Sequence, residues 1–141
     1  MRPSKHIAPM ALIALALIAA VTVARGERAT PRPAAKVLDL EVIPEGRKGP
    51  EGQLHDNFTV TDFHVAVGQR VTLHIDNTDT AVHSITSQEA GVNIVVQPGT
   101  HDYTLVVERA GKFEWHCAFP CDPWSMERPG YMRGFITATE S

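Results

Sequence analysis

From Lys36 onward the chain alternates apolar and polar residues with a period of two, the spacing of strands that bury one face. "VLDLEVIP" predicts a first strand. "DFHVAV" turns Phe63, Val65 and Val67 one way, with His64 and Ala66 opposite. After Gly68-Gln69, Val71, Leu73 and Ile75 alternate with Thr72, His74 and Asp76. "AVHSIT", "GVNIVV", "YTLVVE", "KFEWHC" and "MRGFITAT" continue the series, separated by "NTDT", "QPGT" and "AG". These make about eight short strands with turn residues between them. No useful helical period interrupts them, so the predicted class is an all-β sandwich or small barrel. "EGRKGPEGQLHDN", rich in glycine, reads as a loop between the first two strands.

The N-terminus has a different texture. Arg2, Lys5 and His6 precede an apolar run from Ala8 to Ala24, and small residues follow at Ala24 and Gly26. Residues 1–26 are therefore expected to be an export signal peptide, or an uncleaved N-terminal anchor. Residues 27–36, "ERATPRPAAK", read as a linker, and residues 37–141 as one domain. Removing residues 1–26 takes away Arg2, Lys5 and Arg25 and no acid, so the net charge moves from −3 to −6. Such a balance argues against nucleic acid or an anionic lipid surface as partner and permits docking to a basic protein. Export predicts an extracytoplasmic location, periplasmic or secreted, with membrane contact only through a retained N-terminal segment. That compartment is oxidising.

Oxidising conditions sharpen the question posed by the two cysteines, Cys117 and Cys121, in "FEWHCAFPCDPWSMERPGYMRG". They are close enough to form a disulfide, and equally they could bind a soft metal together with Met126 and Met132. Strand parity sorts the histidines. His64 and His74 fall on polar faces, and His55 and His101 lie in or beside loops. His116 has the parity of Glu114, opposite to Phe113, Trp115 and Cys117, so only a bulge would turn it inward. His83 shares the inward parity of Ile85, and a buried imidazole requires a hydrogen-bond partner or a metal.

From about Val37 to the end the chain resembles the cupredoxin family of copper-binding Greek-key β-sandwiches. The resemblance is carried by "VAVGQRVTLHIDNTDTAVHSIT", "VQPGTHDYTLVVERAGKFEWHC" and "YMRGFITA". It implies copper as cofactor, with His83 after the turn as first ligand and Cys117 at a strand end as second. No histidine follows His116, which disfavours an ordinary blue site. The Cys-x-x-x-Cys loop instead resembles the dinuclear copper (CuA) domain of cytochrome c oxidase subunit II. By position Cys117 and Cys121 match the bridging thiolates, and Met132 the methionine before the last strand. The second histidine of that centre would fall at Ser125, so Met126, or His116 on a bulged strand, is the candidate replacement.

The resemblance implies electron transfer, or Cu(I) binding and delivery, with a redox or copper-accepting protein as partner. The alternative is a metal-free module in which Cys117 and Cys121 form a disulfide. No Ser/His/Asp or paired-carboxylate arrangement is assignable, so the chain reads as a carrier or binding protein rather than an enzyme, with a role as an oxidase subunit left open.

Overall fold

The computed structural model describes residues 34–140. The expected signal and all but the last three linker residues lie outside them. Among the described residues there are nine strands and one single-turn helix. In chain order they are β1 Lys36–Lys48, β2 Leu54–Phe58, β3 Asp62–Ala66, β4 Val71–Asn77, β5 His83–Ser87, β6 Val92–Val96, β7 Gly99–Leu105, β8 Gly111–His116, α1 Pro123–Met126 and β9 Arg133–Thr139. One sheet runs β2-β1-β4-β7 and the other β3-β9-β8-β5-β6. Neighbours are antiparallel except β1 with β4 and β3 with β9.

Period-two alternation produces this arrangement directly. Val71, Leu73 and Ile75 are completely buried, as are Ile85, Trp115 and Ile136 from the opposite sheet, and together they fill the space between the layers. Full burial of an aliphatic side chain of this size stabilises by about 1.5–3 kcal/mol. The core is therefore rigid where β5, β8 and β9 end, and those ends carry the candidate site.

Trp115 sets the registration at that end. Its indole Nε1 donates to the Thr61 carbonyl oxygen at 2.8 Å, and the ring meets Phe58 edge-on with centroids 5.2 Å apart. Gly134 lies opposite Trp115 in the β8–β9 ladder. A Cβ there would stand 1.9 Å from the Thr61 oxygen, so no side chain fits.

Three sequence expectations change. The stretch read as a turn-rich loop is a hairpin: β1 continues to Lys48 through a bulge between Ile43 and Arg47, and β2 returns alongside it. Glu45 takes a φ of 50° there, and a Cβ on Gly46 would collide with Ile43 and Asn57. A bulge breaks the period-two signal that otherwise marks a strand, which is why this ninth strand is hidden. The strand expected from Tyr103 instead begins at Gly99, pairing with Asn77. "DPWSM", in a stretch where no helical period is expected, closes one turn of helix. Asp122 caps it by accepting the Trp124 N–H at 3.1 Å, and Pro123 occupies a first-turn position where a missing N–H costs nothing.

Candidate metal centre

His83 is fixed by the turn before it. The Asn77 side chain donates to the Ala81 carbonyl at 2.9 Å and accepts the Asp79 N–H at 3.0 Å, while Asp79 accepts the Ala81 N–H at 3.2 Å. This turn delivers His83 to the start of β5 with its ring completely buried. Nε2 meets Asp79 Oδ2 at 2.9 Å. Nδ1 is thereby left facing inward, 3.9 Å from Cys117 Sγ.

Cys117 follows β8 and is also fully buried; its N–H donates to the Met132 carbonyl at 2.9 Å. The β8–β9 ladder ends at His116 with Arg133, so Cys117 and Met132 are the next cross-strand pair, both turned into the core. Cys121 lies four residues on, half-buried against that core. His83, Cys117 and Cys121 bring one nitrogen and two sulfurs to within 4.8 Å of one another. Among the described residues no other group of three histidine, cysteine or carboxylate donors converges in this way. Both cysteines are free thiols.

The charges around the sulfurs are coupled. Cys121 donates toward the Cys117 sulfur, which lowers the Cys117 pKa against the opposing effect of burial; contacts with His83 and with the backbone of Ser84 and Phe119 add to the lowering. The pKa of Cys121, facing that sulfur and half-buried, is raised, and the thiol keeps its proton. Burial pushes the His83 ring down, but hydrogen bonds to Cys117 and Asp79 outweigh it and its pKa is raised. The metal-free arrangement thus sets a sulfur of lowered pKa, Cys117, between a thiol and an imidazole whose pKa values are both raised.

Of the residues singled out in the sequence, His83, Cys117 and Cys121 come together, and Met132 is seated across from Cys117. Met126, half-buried in α1, packs against the core nearby. His116 does not join them. It pairs in unbroken register with Arg133 and Thr86 and stays exposed, beside a surface hollow lined by Glu89, Glu114 and Arg133. No bulge turns it inward, because Trp115 and Cys117 on either side are both locked in the core. Ser125, where a second histidine would fall, is fully buried; its hydroxyl donates to the Asp122 carbonyl at 2.8 Å and its own carbonyl accepts the Met132 N–H at 3.2 Å. It is a loop-builder.

Two residues near the site escaped the sequence reading. Asp79 stands four positions before His83, a spacing that could have flagged it as the partner of the ring. Ser84, on β5, accepts the Ala118 N–H at 2.9 Å and so anchors the loop just after Cys117. Ser84→Ala leaves that amide unpaired and is expected to cost about 1–2 kcal/mol, measured as a lowered midpoint in urea at unchanged slope.

A shallow hollow of about 550 Å³ lies elsewhere, on the outer face of the four-stranded sheet between Asp39, Glu41, His74 and Asp76. Its acids are spread along the strands and do not converge on a point.

Comparison with known proteins gives the same architecture. Residues 11–126 match the family model described as a cupredoxin-like domain. No curated protein is similar in sequence. Among solved structures, the copper nitrite reductase of Nitrosomonas europaea is similar at a TM-score of 0.54 and 20% identity, over 77% of this chain and 42% of that one. A multi-copper oxidase from Pseudomonas thermotolerans gives 0.54 and 18%, over 76% of this chain and 30% of that one. A Cu-containing nitrite reductase from Thermus scotoductus SA-01 gives 0.50 and 20%, over 77% and 28%. The chain thus spans less than half the length of each of these enzymes, and at such identity the likeness is one of fold. Strand order, core and family match agree: the chain belongs to the cupredoxin-like domain family.

Proposed function

We propose that this is an exported copper-binding protein that holds its metal through His83 Nδ1, the sulfurs of Cys117 and Cys121, and Met132, with Met126 at the margin. The observation that carries the reading is the convergence of one imidazole nitrogen and two sulfurs within 4.8 Å in a largely buried pocket. Two thiolates, a thioether and an imidazole form a soft donor set that favours Cu(I). Copper would supply a centre able to take up and give back one electron.

The remaining chemistry belongs to the chain. Asp79 orients the His83 ring so that Nδ1 points at the sulfurs. Cys117 offers a sulfur already near its thiolate form, while Cys121 gives up its proton when metal binds. His83, Cys117 and Met132 are completely buried and Cys121 half-buried, which limits the access of water to the donors. With Ser125 where a second histidine would complete a dinuclear centre, the donor set favours Cu(I) binding and delivery; electron transfer is the alternative outcome. The partner we infer is a respiratory or other copper enzyme outside the cytoplasm, consistent with the charged-then-apolar N-terminus and the acidic balance. In this reading the chain binds or carries copper rather than catalysing a reaction.

The test is anaerobic copper loading of the parent and of Cys121→Ser, reading stoichiometry, affinity and visible absorption. Loss of one soft ligand is expected to weaken binding by at least ~10-fold. A colourless Cu(I) adduct supports delivery; an intense absorption with a delocalised mixed-valence signal supports a carrier. Equal copper in the variant and the parent would remove the second sulfur from the site. Two blocked sulfurs and no copper would instead indicate the disulfide-closed module.

A further inference from the structure

Outside the sulfur group, one buried histidine has no part in the proposed function. His55 in β2 is only 5% exposed, and both of its ring nitrogens are taken. Nδ1 lies 2.5 Å from Asp122 Oδ2, and Nε2 contacts Glu51 Oε1. The ring lies flat on Trp124, with centroids 3.9 Å apart and planes at 10°, and Tyr131 meets it edge-on. A neutral imidazole donates from one nitrogen only, so carboxylates on both call for the imidazolium. Burial opposes that charge, yet the contacts with Glu51 and Asp122 prevail and raise its pKa. The carboxylates engage opposite edges of the ring, so these donors diverge, unlike those at His83.

The location gives the cluster its consequence. Asp122 is the residue after Cys121 in the loop that leaves β8 and returns to β9, whereas β2 belongs to the other sheet. Asp122 Oδ1 caps α1 while Oδ2 holds His55, and the Asp122 N–H donates to Asp56 Oδ2 at 3.3 Å. At the far end of the loop the Phe58 N–H donates to the Tyr131 carbonyl at 3.1 Å, and Arg47 donates to the Gly130 carbonyl. The β1–β2 hairpin thus grips the loop at both ends, and beside Cys121 the grip is made by His55 on the Asp122 side chain and by Asp56 on its N–H.

We infer that His55 is a positioning residue for the candidate metal centre: pinned between Glu51 and Asp122, it clamps the Cys121 loop onto β2 and so fixes the Cys121 sulfur beside Cys117. The inference rests on the dithiolate reading above, but its first readout needs no copper. In metal-free, reduced full-length protein, the alkylation rate of each cysteine by iodoacetamide is followed by peptide mass spectrometry. His55→Ala is expected to speed modification of Cys121 by about tenfold or more, as loss of charge-assisted hydrogen bonds that close a loop predicts, with Cys117 still protected. Asp122→Asn keeps a residue able to cap α1 but loses the charge facing His55; it should act in the same direction, and the double variant should go little further than His55→Ala alone.

An unchanged Cys121 rate in His55→Ala overturns the inference. Should His55→Ala expose both cysteines by unfolding, Asp122→Asn decides, and an unchanged Cys121 rate there overturns it equally. The second readout is the sulfur-to-copper absorption of the loaded protein, which is expected to shift in His55→Ala while His83 and Cys117 still hold metal; a spectrum identical to the parent's overturns the role at the site. A parent that takes up no copper would defeat the proposed function alone, since the alkylation rates would still decide whether His55 holds the loop.

Discussion

Cys117→Ser is expected to lower copper affinity by at least ~100-fold and to abolish any sulfur-to-copper absorption, with the fold retained. Cys117 meets each of the other three principal donors, His83, Cys121 and Met132. Its sulfur faces His83 Nδ1 at 3.9 Å and the Cys121 thiol, and its backbone is bonded to Met132. A serine hydroxyl is nearly the same size, so the core around Trp115 and Ile136 should close on it without a large cavity. The hydroxyl does not ionise near neutral pH and is a hard donor, so neither charge nor softness survives the exchange. Cys121→Ser removes a sulfur that keeps its proton in the metal-free protein and lies partly open, and should do less. The order of the two losses, read by competition against a Cu(I) chelator at one pH, checks the arrangement. Equal losses would mean that the two sulfurs are equivalent ligands, and an unaffected Cys117→Ser would place the metal elsewhere.

Much of the sandwich was legible because burial and strand parity are local. Phe63, Val65, Val71, Leu73, Ile75, Phe113, Trp115 and Cys117 all read as inward from their neighbours alone, and all are buried. The same rule placed His83 inside and His116 outside. The β1–β2 hairpin was hidden because its bulge and its glycines, spaced for a tight turn, erase the alternation. His55 was hidden for a different reason. Its partner Asp122 is 67 residues away, and no local pattern announces a contact between a strand of one sheet and a loop of the other. Ser125 was identified as the position of a missing ligand, but only the folded loop shows what it does there, bonding Asp122 and Met132. The inventory of donors could be read from the chain; the supports that aim them could not.

Those supports make Asp79 the second residue whose loss should be large. Asp79→Ala is expected to weaken copper binding about 10–100-fold, the usual consequence of removing the carboxylate behind a ligating imidazole. Without Oδ2 at 2.9 Å from Nε2, the ring of His83 has no partner on its outer edge, and the fixed presentation of Nδ1 to Cys117 is lost. Asp79→Asn separates orientation from charge, because the amide oxygen still accepts from Nε2–H. The pH dependence carries the distinction. Burial lowers the His83 pKa, but Cys117 and Asp79 raise it above its ordinary value, so in the parent the proton competes with copper from that raised pKa downward and affinity falls as the pH drops through it. Removing the Asp79 charge destabilises the imidazolium and moves the onset of that decline to lower pH. Copper affinity measured from pH 5 to pH 8 should therefore show Asp79→Asn close to the parent at the alkaline end and relatively stronger in acid, with Asp79→Ala weaker throughout the alkaline half. Coincident curves for all three proteins would show that His83 does not bind the metal through the nitrogen that Asp79 aims.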